Sequence, residues 1–278
     1  MTEREFVKKQ RNKVFNLKMG LEKTMIVDLK KYFAEQKRKV RAGKDIDTIA
    51  PVLQKHYLRI VRTLTGKQIK QNIPQEVIDF IANKADIQAN EIDDTTRKEI
   101  EQSIELARQS LQDEGITDYT QETLLLIASK IFIRKSKWRI RTVSNTETQE
   151  NAEGIRNILA LAGLKELETA IAENDITKIS EIYQEKPSYT AYKVRQLIGV
   201  EEAAVLFALI ATAKKEWETM GDSKVRIKPF NHQAANGQQV GITEPFIVSG
   251  QLLKYPGDMS LGASIGNVVN CRCLSVYL

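Results

Sequence analysis

The residues with the most chemistry to offer in this chain are two thiols and an imidazole. Cys271 and Cys273 are the only cysteines, and His232 is one of two histidines. Side chains two apart on a strand share a face, so both sulfurs are expected to point the same way. With the carboxylate of Asp222 they would make a four-ligand zinc set of mixed N, S and O donors. A small domain with little core gains folding free energy from such a clip. The spacing is not the paired Cys-x2-Cys of common zinc sites. Two thiols that face inward also read as small buried hydrophobes, with His232 a hydrogen-bonding loop residue. Apart from zinc, no cofactor is expected. A lone Cys-x-Cys pair is not a disulfide framework, which suits reduced thiols in a cytoplasmic compartment.

Other catalytic sets are not readable. His56 and His232 are the only imidazoles, and no Ser-His-Asp order stands out. Gly257 to Gly266 lacks the preceding strand and the lysine that a phosphate-binding loop requires. Glu244 is the only acid between Asp222 and Asp258. The sequence therefore gives no expectation of an enzyme.

These residues need elements to position them. Phe6, Phe15, Leu17, Leu21, Met25, Leu29 and Phe33 recur mostly in steps of four and predict a helix over 4–42. Asp47 or Thr48 caps a second helix with Pro51 in its first turn, running to about Gly66. Further helices are expected over 75–88, 94–114, 120–137 and 147–163, then about 164–173, 175–185 and 190–198. The run VEEAAVLFALIATA from 200 is ambiguous between a buried helix and a helix leading into a strand. Beyond Ala213, Gly and Pro interrupt the chain every few residues. Short strand-like pieces lie between them at 214–219, 239–240, 246–248 and 272–277. Tyr255-Pro256-Gly257-Asp258 reads as a tight turn, with Pro presetting φ and Gly supplying a positive φ. Asp222 and Arg226 flank a turn at Gly221 and are expected to pair with each other or to cap the loop. The fold class is α+β: a helical, basic region over 1–140 followed by a compact α+β domain over 141–278.

The segment 205–278 resembles the phage Mu F-like head morphogenesis family, the minor head proteins of tailed phages. The residues that carry the likeness are Lys215-Glu216-Trp217, Asp222-Ser223-Lys224-Val225-Arg226, His232 with Gly237, Phe246, Tyr255-Pro256-Gly257-Asp258 and Asn270-Cys271-Arg272-Cys273. Asn145-Thr146-Glu147-Thr148 looks like the family's Arg-Thr-Glu-Thr stretch with Asn in place of Arg, and the Arg226-to-His232 gap is longer than the family's. The resemblance implies a virion protein, present in few copies near the portal vertex, that supports head assembly and DNA packaging or ejection. Its partners would be the portal protein and the major capsid or scaffold protein, and its location the virion head after assembly in the host cytoplasm. The resemblance also implies a fold related to ADP-ribosyltransferases, usually without activity; an active transferase or toxin is the alternative it leaves open.

Charge is uneven. Residues 1–72 hold 19 Lys/Arg against 7 Asp/Glu, while the remaining 206 hold 23 against 29. A basic half is able to meet nucleic acid, double-stranded DNA included, or an acidic protein surface. Lys30, Lys31, Lys37, Arg38, Lys39 and Arg41 crowd the end of the first helix, where cations also suit the helix dipole. Arg134, Lys135 and Lys137 surround Trp138, a pattern able to grip single strands, although a Trp anchoring a helix end into the core is the simpler expectation. No apolar run approaches the roughly 18 residues that span a bilayer, and the charged N-terminus has no secretory apolar core. No membrane partner is expected.

Overall fold

The computed structural model describes residues 2–65, 73–173, 175, 177–178 and 213–278. The chain is mixed α+β: long helices precede a small antiparallel C-terminal sheet. The helices are α1 (Glu3–Arg41), α2 (Ala50–Thr65), α3 (Gln75–Asp113) and α4 (Gln121–Ala172). The strands are β1 (Lys214–Thr219), β2 (Gln239–Gly241), β3 (Phe246–Val248), β4 (Gln251–Leu253) and β5 (Cys273–Tyr277), with a short helix α5 (Ile265–Val268) before the last. The helices expected over 175–185 and 190–198, and the ambiguous run from 200, fall almost wholly outside the described residues.

Three sequence-predicted helix breaks do not occur, and the one expected between 163 and 164 lies in the interior of α4. The polar run Asp94-Thr95-Thr96 lies inside α3. The Thr95 and Thr96 hydroxyls donate back to the carbonyls of Glu91 and Ile92 one turn earlier, at 2.8 and 2.6 Å, so they do not cap a new start. Likewise Ser144 and Asn145 sit within α4, and Ser144 Oγ donates to the Glu22 carbonyl on α1. Trp138 is accordingly in mid-helix and not at an end, and its side chain is 73% exposed.

Contacts divide the chain into two compact units that interleave along the sequence, where a single cut near residue 140 was expected. One holds Met1–Met19, Asn72–Val77 and Gln149–Leu278; the other holds Gly20–Gln71 and Ile78–Thr148. Among the described residues, the regular elements of the second unit are all helices. Met25, Leu29 and Phe33 of α1, Leu53, Tyr57 and Ile60 of α2, Ala85 and Ala89 of α3, and Ala128 and Phe132 of α4 are buried in it. Phe33 and Phe132 meet at 6.2 Å between ring centroids. Asp93 accepts hydrogen bonds from Ile49 N and Tyr32 Oη, which fixes the entry to α2. Thr48 Oγ1 accepts from Ala50 N at the same end, in keeping with the expected cap.

The first unit is built on the sheet β2-β1-β5. Period two sorts its side chains. Glu216 and Glu218 of β1 stand opposite Val276 and Leu274 of β5. That face receives the start of α1: Phe6, Val7 and Val14 pack on Leu274, Val276 and Leu278, while Arg4 pairs with both glutamates and Arg11 with Glu218. The other face carries Trp217 and Cys273 into a second core with Ala235, Phe246, Val248, Leu253, Ala263, Val268 and Cys271. The free edge of β5 is closed by side chains from α4. Gln149 Nε2 donates to the Cys273 carbonyl, and Ser275 N donates to Glu153 Oε2 at 2.8 Å. Glu153 also holds Lys18 Nζ at 2.5 Å, a fully buried pair with Arg156 beside it at 2.7 Å. Burial pushes the Lys18 ammonium down. The Glu153 carboxyl is held below its usual range in spite of its own burial, by Arg156 and Lys18.

The hairpin β3–β4 turns through Ser249 and Gly250, both at positive φ (50° and 78°), with Val248 paired to Gln251. That is the backbone of a two-residue type I′ loop. The strand β4 was not anticipated from sequence. The Ser-Gly dipeptide following the apolar run Phe246–Val248 was the signal for it.

Candidate functional site

The Cys-x-Cys pair behaves as its spacing implies. Asn270 enters the αL region at φ 55°, a conformation Asn tolerates better than most residues, and the chain then straightens into β5. Cys271 and Cys273 point the same way, and their sulfurs lie 3.5 and 3.4 Å from one atom, His232 Nδ1. All three side chains are buried, and their potential ligand atoms fall within 4.8 Å of one another. The loop between β1 and β2 delivers the imidazole, with His232 N donating to the Arg226 carbonyl at 3.0 Å.

A chain of amide bonds sets the imidazole tautomer. Asn267 Nδ2 donates to the Val248 carbonyl and to Gln251 Oε1, at 3.2 and 2.9 Å. Its Oδ1 is therefore an acceptor, and it faces His232 Nε2 at 2.8 Å. Nε2 must carry a proton, and Nδ1 faces the two sulfurs. Burial works against charge on His232, but the hydrogen bond and charge of Cys271 outweigh it and raise its pKa. The Cys273 thiol, first, and then His232 stabilise the Cys271 thiolate against its burial and bring that pKa well below the usual thiol range. Burial and the neighbouring Cys271 sulfur drive Cys273 the other way. Trp217 lies edge-on to both His232 and Phe246, with centroids 5.9 and 5.3 Å away, and seals the group.

Asp222 is not part of this group. Its carboxylate is 2.6 Å from Arg272 Nη2 and accepts from Lys224 N. Arg272 lies between the two cysteines in sequence, so alternation turns it to the opposite side, where its guanidinium stacks over Phe15 at 5.6 Å. The expected fourth ligand is thereby corrected. The group has three donors among the described residues, one short of the four a structural zinc takes. The expected Asp222–Arg226 pair is corrected too. Arg226 donates instead to the carbonyls of Gly266 and Val269, at the end of α5, where a cation satisfies open helix carbonyls.

The remaining motif residues hold backbone. Gly237 N donates to the Trp217 carbonyl at 2.7 Å, with φ +80°. Tyr255-Pro256-Gly257-Asp258 closes with Asp258 N donating to the Tyr255 carbonyl, and Gly257 is at φ +95°. A Cβ there would also meet Glu150 Cα on α4 at 3.2 Å. The Asp258 carboxylate accepts from Lys254 N and Ser260 N. Glu244 accepts from Gly241 N and so folds its own turn.

No protein-family model, curated protein or solved structure matches the chain.

In the helical unit the Asn145–Thr148 stretch packs inward. His56 Nε2 meets Thr148 Oγ1 at 2.9 Å, and Tyr57 Oη donates to Glu147 Oε2 at 2.5 Å. The basic candidates divide. On α1, Arg38 pairs with Glu35 and Lys39 with Asp47, while Lys30, Lys31 and Arg41 are exposed and Lys37 is half-buried. On α4, Arg134 and Lys137 are exposed and Lys135 is half-buried. The expected core-anchoring Trp138 is instead among the most exposed large apolar side chains. The anchor at this point is the next residue: buried Arg139 pairs with Glu99, donates to the Ile92 carbonyl and stacks on Phe33. No described helix is long and apolar enough to cross a membrane.

Proposed function

We propose that the chain is a minor head protein of a tailed phage or prophage, acting by docking near the portal vertex and not by catalysis. One observation carries the reading. The residues through which 217–273 resembles the Mu F-like family converge on one another. Trp217, His232, Cys271 and Cys273 share a core, and Gly237, Arg226, Gly257 and Asp258 each fix a backbone segment around it. Such a set specifies a rigid docking unit. Its partners on this reading are the portal protein and the capsid or scaffold protein, with packaged double-stranded DNA within reach of the exposed cations. Procapsids isolated during assembly, cross-linked and analysed by mass spectrometry, should contain the chain in few copies, joined to portal peptides. Its absence from particles at every stage of assembly would end the proposal. The same resemblance brings a relation to the ADP-ribosyltransferase fold. Label transferred from NAD to a host protein, and lost in Glu244→Ala, would move the reading to an enzyme.

A second reading is zinc at the thiol–imidazole group, in a protein whose C-terminal unit the metal stabilises. His232 Nδ1 directed at two sulfurs, with Nε2 held by Asn267, favours it, because an imidazole ligand is normally oriented by a hydrogen bond from its other nitrogen. Metal analysis of the purified chain decides it: about one zinc per chain supports a site, and a stoichiometry near zero leaves three core residues.

A further inference from the structure

The basic residues around Trp138, singled out by their sequence, lie on a face of α4 that the fold leaves open. From Glu122 to Glu147 the chain has no acidic residue between them. Within this stretch Lys130, Arg134, Lys137 and Arg141 are all exposed. Their separations of four, three and four residues place them on one side of the helix, in a row about 16 Å long. Trp138 stands on the same side, 73% exposed. None of the five has an ion-pair or hydrogen-bond partner among the described residues. The opposite side is closed by buried Phe132, Ser136, Arg139 and Ile140.

Ordinary solvated helix faces mix both signs and pair them at i,i+3 or i,i+4. The exposed pairs elsewhere on the helices, Arg38–Glu35, Arg97–Asp94 and Arg108–Glu105, follow that habit. This face does not: four cations of one sign flank an indole with no packing partner. A membrane surface would need an exposed apolar stripe, and the apolar side of α4 here faces the core of its unit. Fixed cations complement phosphates, and an indole face complements an unpaired base.

We infer that the Lys130–Arg141 face of α4 binds single-stranded nucleic acid, with the four cations tracking the sugar-phosphate backbone and Trp138 stacking on a base. The site goes beyond the docking role proposed above and does not depend on it. A chain absent from procapsids would still bind oligonucleotide, and a portal-bound chain without this site would not.

The test is fluorescence anisotropy of a labelled oligothymidylate of 20 residues with the full chain, from 50 to 300 mM NaCl. Binding is expected at low salt, with a log–log salt slope near −3 if four phosphates are neutralised at about −0.7 each. Replacing Arg134 and Lys137 by Ser should flatten the slope by about 1.4. Trp138→Ala should weaken binding about tenfold or more, Trp138→Phe should restore most of it, and duplex of the same length should bind with no loss on Trp138→Ala. Because the altered side chains are exposed, the circular dichroism melt should not move, so lost binding is not lost folding. No binding at 50 mM salt, or a slope unchanged by the double substitution, would overturn the site. Oligothymidylate affinity indifferent to Trp138→Ala would overturn the assignment to unpaired strands.

Discussion

Trp217 and Trp138 sit in surroundings that differ in almost every physical respect. Trp217 is fully buried, edge-on to His232 and Phe246 and packed on both cysteines. Trp138 lies in a longer and more regular element, yet its ring is in solvent among unpaired cations. In the sheet unit, the rare side chains find their partners within the unit. In the helical unit, a regular scaffold leaves one face without internal partners, and that is where a ligand has groups to meet. Residue rarity alone did not distinguish the two. Burial does.

The comparison breaks most visibly if the two indoles are removed. Trp217→Ala is expected to cost about 4 kcal/mol, the usual range for deleting a buried aromatic, whereas Trp138→Ala should stay within about 0.5 kcal/mol. Guanidinium unfolding of both variants measures the contrast, and similar losses would erase it. Next in size is the buried charge that ties the start of α1 to α4. Glu153→Ala leaves Lys18 buried without its carboxylate and is expected to cost about 3 kcal/mol. The same experiment reads it, with Glu105→Ala on the exposed Arg108 pair as a control expected near zero.

A smaller effect should separate the units by pH. His56 is buried in the helical unit, and its Nδ1 has no hydrogen-bond partner among the described residues. Burial, helped by the charge of Arg59, lowers its pKa from 6.5 to about 3. A depressed value means that the unfolded chain takes up the proton first. The contribution is therefore intact above about pH 6.5 and is lost as pH falls from there toward 3. At pH 5 the loss is about 2 kcal/mol relative to pH 7. Urea midpoints at the two pH values should show it, and His56→Gln should flatten that part of the profile; an unchanged profile would contradict the burial argument. The smallest expected effect is Asp222→Ala. Its partly exposed pair with Arg272 should contribute within about 1 kcal/mol. Any metal bound to the thiol–imidazole group should be retained, and metal lost with this substitution would restore Asp222 as a ligand.

Much of the C-terminal unit was legible because its signals are local. The short strand-like pieces at 214–219 and 272–277, the Pro-Gly turn at 256–257 and the shared face of Cys271 and Cys273 each follow from neighbours a few residues away. The helix breaks at Thr95 and Ser144 were misjudged for the same reason. A hydroxyl that caps a new helix looks the same in sequence as one that bonds back to the previous turn, as at Thr96, or across to another helix, as Ser144 does to the Glu22 carbonyl. The Ser249-Gly250 dipeptide is a turn signal of the same local kind.

What the sequence determined by itself is periodicity and backbone permission: which residues share a face, and where Gly or Asn allows a left-handed turn. Pairing over long separations was decided only by tertiary structure. Asp222 meets Arg272 and not Arg226, Arg139 is the buried anchor and not Trp138, and Asn267 fixes the proton on His232. Each of these joins residues tens of positions apart. Desolvation and hydrogen-bond geometry select the partner among several of the same type, and neither quantity exists until the chain has folded.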